Sequence, residues 1–123
     1  MDVIELGTTL VRMCSQGKAN EFMAQHYADD IVSIEGQSMG GMSARLEGID
    51  AVRGKAEWWE ANHEVHALSA DGPYVGNRED QFVVRFEIDV TPKGGERATM
   101  TEVALYTVAN DKVVQEEFLY LMA

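Results

Sequence analysis

From Gln81 to Thr91 every second residue is large and apolar. Phe82, Val84, Phe86, Ile88 and Val90 fall on one side, and Val83, Arg85, Glu87 and Asp89 on the other. Strand side chains alternate between faces, so this run predicts a long strand with one face on a core and one towards water. Two further β-rich runs, Thr101–Val108 and Val113–Tyr120, flank the polar break Ala-Asn-Asp-Lys, which is a hairpin signal. His63 to Tyr74 reads as another strand, closed by the turn cluster Asp71-Gly72-Pro73, and Pro92-Lys93-Gly94-Gly95 reads as a hairpin loop. The second half of the chain is therefore four long strands in series.

The closing hairpin carries an unusual face. Its first run sets Glu102, Ala104, Tyr106 and Val108 on one side; its second sets Val114, Glu116, Phe118 and Tyr120 on one side. Carboxylates among aromatics suit the wall of a ligand pocket, which is mostly apolar with a few placed polar groups. They also suit a half-exposed sheet with its acids in water. Alternation alone leaves both readings open.

The first half is helical. Val3, Leu6, Leu10, Met13 and Cys14 recur at helical spacing, which predicts an amphipathic helix over 2–15 ended by Gly17. A second helix follows, with Ala19, Phe22, Met23, His26 and Tyr27 on one side. Ile31 to Glu35 is a short β-like run. The stretch Gly36–Gly48 holds four glycines with Met39 and Met42 between them, and reads as a mobile loop or as a lid over a pocket. Asp50 is placed to cap a third helix ending at Asn62, with Val52, Ala56 and Trp59 on one face and Trp58 off that line. Helices first and antiparallel strands last predict an α+β domain, with helices on one face of a curved sheet.

Length and charge narrow the function. A chain of 123 residues is one domain, here read as 1–123. The net charge of −11, from 21 acidic and 10 basic residues, opposes phosphate backbones and anionic membrane surfaces. No nucleic acid and no membrane are expected as partners. No stretch approaches the ~18 apolar residues of a membrane span, and the first residues do not read as a signal peptide. The single cysteine, Cys14, forms no intrachain disulfide and fits a cytoplasmic setting. It lies on the first helix's apolar stripe, where thiols are usually inert. His63 and His66 are three apart in a strand, face opposite ways and cannot share one ion. No metal site and no cofactor are expected.

Tyr27-Ala28-Asp29-Asp30 before a short strand ending in Glu35, a glycine-rich loop, a helix opening Ala51-Val52-Arg53 and a final Asn-Asp-Lys-Val-Val hairpin resemble the nuclear transport factor 2-like superfamily. Within it the chain is most similar to the SnoaL-like and ketosteroid isomerase-like proteins. The resemblance covers nearly the whole chain. It implies a cone-shaped, curved, mainly antiparallel sheet wrapped around three helices, an apolar pocket between them, and a homodimer. It also gives Glu35 the place of the isomerases' base carboxylate. The isomerases' two oxyanion donors correspond to Leu10 and Ala104, neither of which can donate, and the cyclases' base corresponds to Tyr120.

The candidate catalytic groups are therefore Glu35, Glu102 and Tyr106. The expected pocket wall takes in Leu10, Trp58, Trp59, His66, Phe86, Ala104, Glu116, Phe118 and Tyr120. The chemistry this implies is cofactor-free acid/base catalysis, of isomerase, cyclase or hydratase type, on a small apolar carbonyl compound. The alternative is a ligand-binding or assembly module without proton transfer.

Overall fold

The computed structural model describes residues 1–121. Helix α1 spans Val3–Ser15, α2 Ala19–His26 and α3 Ile49–Asn62. The strands are β1 (Tyr27–Ile34), β2 (Arg45–Glu47), β3 (His63–Tyr74), β4 (Gln81–Pro92), β5 (Ala98–Ala109) and β6 (Lys112–Leu119). They form one sheet in the order β2-β1-β6-β5-β4-β3. The β1–β6 pairing is parallel and the others antiparallel. This is the expected α+β arrangement.

Local chemistry explains the helices. The Asp2 carboxylate accepts from the Glu5 amide at 2.8 Å and caps α1. Leu6, Leu10 and Met13 then fall on one stripe and are buried. Gly7 lies close enough to β3 that a Cβ there would come 2.6 Å from the Pro73 ring. The end of α2 is met by Lys112, whose ammonium donates to the Gln25 carbonyl at 2.8 Å. Three sequence expectations are corrected here. Tyr27 opens β1 instead of continuing α2. Asp50 sits in the first turn of α3, and the capping position belongs to Gly48, at a φ of 96° that favours glycine. A three-residue strand, β2, lies inside the glycine-rich stretch.

The alternation in β4 is borne out: Phe82, Val84, Phe86, Ile88 and Val90 are all buried. They pack with Leu6, Leu10, Phe22, Ile31 and Val52 in a single core between helices and sheet. Burying one such side chain contributes about 1.5–3 kcal/mol. Asn110 and Asp111 turn the β5–β6 hairpin with φ of 52° and 62°, the left-handed pair a two-residue turn demands.

One irregularity re-aims the last strand. Thr107 pairs with Gln115, but Val108 pairs with Val113, so β6 carries one extra residue, Val114. Strict alternation expects Val114 to share a face with Glu116. Instead Val113 and Glu116 are both buried, three positions apart.

Candidate functional site

A cavity of about 940 Å³ opens between the helices and the inner face of the sheet. Its walls are largely apolar, with Leu10, Phe22, Val52, Trp58, Trp59, Phe86, Ile88, Met100 and Phe118 among them. Gln37 and Met39 reach it from the glycine-rich loop. That loop closes on itself through a Met42 amide to Met39 carbonyl bond of 2.9 Å, and Gly40 lies against the Trp58 ring.

One end of this cavity is polar. Glu116, on β6, is buried and takes hydrogen bonds from two hydroxyls: Tyr27 at the start of β1, and Ser33 further along it at 2.6 Å. The Lys55 ammonium, from α3, donates to the Ser33 hydroxyl and to Glu35 at 2.9 Å, and stands 3.8 Å from Glu116. Its remaining face lies over the Phe118 ring, 5.0 Å from the centroid. The side chains of Lys55, Glu35 and Glu116 keep 9%, 10% and 5% of their exposure. Three elements, β1 with the residue after it, α3 and β6, thus converge on one chain of contacts, Tyr27–Glu116–Ser33–Lys55–Glu35.

Such a cluster is a poor way to stabilise a fold. Taking each ion out of water costs several kcal/mol, and well-packed apolar residues in its place would commonly be neutral or stabilising by about 1–4 kcal/mol. A set of ions kept at the end of an apolar cavity is better explained by what the cavity holds.

Beside this chain stands Glu102, on β5. It has no hydrogen-bond or ion-pair partner among the described residues. Burial, and then the neighbouring Glu35 and Glu116 carboxylates, push its carboxyl up to about 7, against a smaller pull downward from Lys55. Glu35 is also raised, chiefly by burial, with the Lys55 bond opposing the rise. Tyr106 lies deeper on β5, stacked on Phe82 with 5.0 Å between ring centroids, and burial holds its hydroxyl far above the ordinary tyrosine range. The Tyr120 hydroxyl is enclosed against the Gly36–Gln37 backbone, whose amides approach its oxygen. It makes no hydrogen bond among the described residues, which leaves its proton free.

Of the residues expected on the pocket wall, Leu10, Trp58, Trp59, His66, Phe86, Glu116, Phe118 and Tyr120 line the cavity, as do Glu35, Glu102 and Tyr106. Ala104 does not: it is fully buried in the sheet between its partners Val84 and Phe118, and too small to reach the cavity. His66 sits at the exposed lip, its ring bonded to the Thr91 hydroxyl at 2.8 Å. Both tryptophans line the cavity, and Trp59 stacks on His63 at 4.2 Å. No group of three or more potential metal ligands occurs among the described residues.

Sequence reasoning missed Lys55, Ser33 and Tyr27. A signal for the first two was present. Lys55 falls on the stripe Val52, Ala56, Trp59 at helical spacing, and Ser33 alternates with Ile31 and Glu35 on one face of β1.

The family model of the SnoaL-like domain matches residues 1–120. A candidate SnoaL-like polyketide cyclase from Mesorhizobium loti is 45% identical; the match covers 98% of this chain and 100% of that one, with a TM-score of 0.88. A cystatin-like-fold protein of unknown function from Xanthomonas campestris superposes with a TM-score of 0.80 at 13% identity, over 99% and 92% of the two chains. TerC, co-crystallised with polyporic acid, gives 0.72 at 16% identity, over 96% and 90%. No curated protein sequence gives a significant match.

Proposed function

The chain belongs to the SnoaL-like family, and from that premise we propose that its cavity binds a small apolar carbonyl compound and moves a proton on it without a cofactor. The supporting observation is a pair of unsatisfied groups on one apolar cavity, the Glu102 carboxyl and the Tyr120 hydroxyl. A general base works best when it titrates near the working pH, and Glu102 does so. Glu102 takes the proton from the carbon next to the carbonyl. Tyr120 donates to the carbonyl oxygen as negative charge grows there. Glu35, also raised, is the second carboxylate within reach, but one of its oxygens is held by Lys55. Lys55 holds Glu35 and Ser33 in place at the polar end of the cavity.

The test is proton exchange. The protein is incubated with a phenyl-substituted ketone in heavy water, and loss of the α-proton signal is followed by NMR. The expected result is exchange well above buffer alone, reduced at least about a hundredfold in Glu102→Gln and about ten- to a hundredfold in Tyr120→Phe. No acceleration by the wild-type chain overturns the catalytic reading. A binding module without catalysis would then stand. The lack of donors at Leu10 and Ala104, where the isomerases place theirs, favours that second reading.

The expected homodimer would use the sheet's outer face. Val83, Val103, Leu105 and Leu119 gather there on paired strands, with Leu119 about half exposed. Sedimentation at micromolar concentration checks it, and a monomer there removes it. No helix among the described residues is long and apolar enough to cross a membrane; a cytoplasmic location remains part of the proposal, supported by the lone Cys14.

A further inference from the structure

The charged groups on the cavity wall do not balance. Among the described lining residues four are carboxylates, Glu35, Glu60, Glu102 and Glu116, and one is a cation, Lys55, with His63 and His66 at the rim. Lys55 is already committed. It donates to Ser33 and Glu35, faces Glu116 at 3.8 Å, and lies over the Phe118 ring. It has no free direction in which to meet a ligand's acid group.

A ligand carboxylate would therefore lose its water and gain no cation in return, beside carboxylates that repel it. A ligand ammonium meets the opposite situation. It brings the charge that the Glu35–Glu102–Glu116 group lacks, and aromatic rings of the same cavity, Trp58 among them, attract a cation. The Tyr120 hydroxyl, which makes no hydrogen bond among the described residues, lines the same cavity. The whole chain's charge of −11 also draws cations towards the molecule.

We infer that the natural ligand of this cavity is an apolar amine, an organic body that carries a protonated nitrogen, and that the cavity excludes organic acids of the same shape. This rests on the reading of the cavity as the small-molecule site. It adds a charge requirement that neither the fold nor proton transfer to a carbonyl imposes.

Three probes with one apolar body separate the two ideas: phenylbutylamine, the ketone benzylacetone, and phenylbutanoate. Both tryptophans of the chain line the cavity, so their emission reports its occupancy. Titrations are run at pH 8 and moderate salt, with calorimetry alongside. The expected order is amine first, the ketone about tenfold weaker or more, and no detectable binding of the acid. Glu102→Gln is expected to weaken the amine about tenfold, whereas an amine held on the outer surface would not respond. If the ketone or the acid binds as well as the amine, the charge requirement is overturned and the small-molecule cavity stands. If none of the three changes the emission or releases heat, both are overturned.

Discussion

The Lys55 ammonium, carried on α3, reaches across to a Glu35 carboxylate oxygen 2.9 Å away at the end of β1. Both side chains are about nine-tenths buried, so this pair joins helix layer to sheet layer with little water between them. An ion pair of this kind is costly to break from one side, because the partner is left charged and unpaired.

Replacement of Lys55 by Met is therefore expected to destabilise the fold by roughly 3–5 kcal/mol at pH 7. The loss should depend on pH. Lys55 lowers the Glu35 carboxyl against the upward push of burial, so its removal raises that carboxyl further. A carboxyl raised in the folded state loses stability as pH climbs through its folded value and keeps it below the unfolded one. The deficit should shrink towards pH ~4, where both states are protonated. Urea denaturation at the two pH values measures it; a deficit that is the same at both would sink the account.

Glu102 obeys the same sign without a cation to help it. Its folded value of about 7 lies above that of an exposed glutamate. Ionising it in place costs stability that is fully present below pH ~4.5 and gone above pH ~7, roughly 3 kcal/mol in all. Glu102→Gln should therefore raise the melting temperature by about 10 °C at pH 8 and change it little at pH 4.5. Scanning calorimetry of both proteins at both pH values decides it.

Two helical glycines give a paired test of packing. A methyl group on Gly7 would sit 2.6 Å from the Pro73 Cβ, and neither backbone can give way without shifting α1 off β3. Gly7→Ala should cost about 1–3 kcal/mol although alanine favours helices. Gly54, on the exposed side of α3, has nothing within 4 Å. Gly54→Ala should stabilise by up to ~1 kcal/mol. Opposite signs for one chemical change are the expected result in chemical denaturation.

Cys14 should be nearly inert in the folded protein. Burial first, and the Glu116 carboxylate second, push its thiol up to about 11. At pH 8 its thiolate fraction is then about two orders of magnitude below that of a free cysteine. Iodoacetamide labelling followed by mass spectrometry should be slow in buffer and fast in urea; equal rates would contradict its placement.

What the sequence made legible follows from how local each signal is. The alternation of β4 and the stripe of α1 repeat over many residues, so their period survives any single exception. The site is assembled differently. Tyr27 and Glu116 are 89 positions apart, and Lys55 and Glu35 are 20 apart. Glu35 stood out only through the family resemblance, whereas Glu102 and Glu116 did so because carboxylates among aromatics break the pattern of a face. Lys55 broke it equally on α3, but a lysine on a short helix is usually read as solvated. Val114 was misplaced because a bulge inserts a residue without any distinctive composition.

The position of β6 in the sheet has a consequence for how the molecule comes into being. Residues 112–119 are the last strand made, yet they lie between β1 and β5. Until they arrive, β1 and β2 have no link to β3–β5 through the sheet, and Glu116 is missing from the group that Tyr27, Ser33 and Lys55 complete. A growing chain can prepare both halves but cannot join them early. Closing the sheet and finishing the polar end of the cavity are one event, with the long loop closure that slows folding.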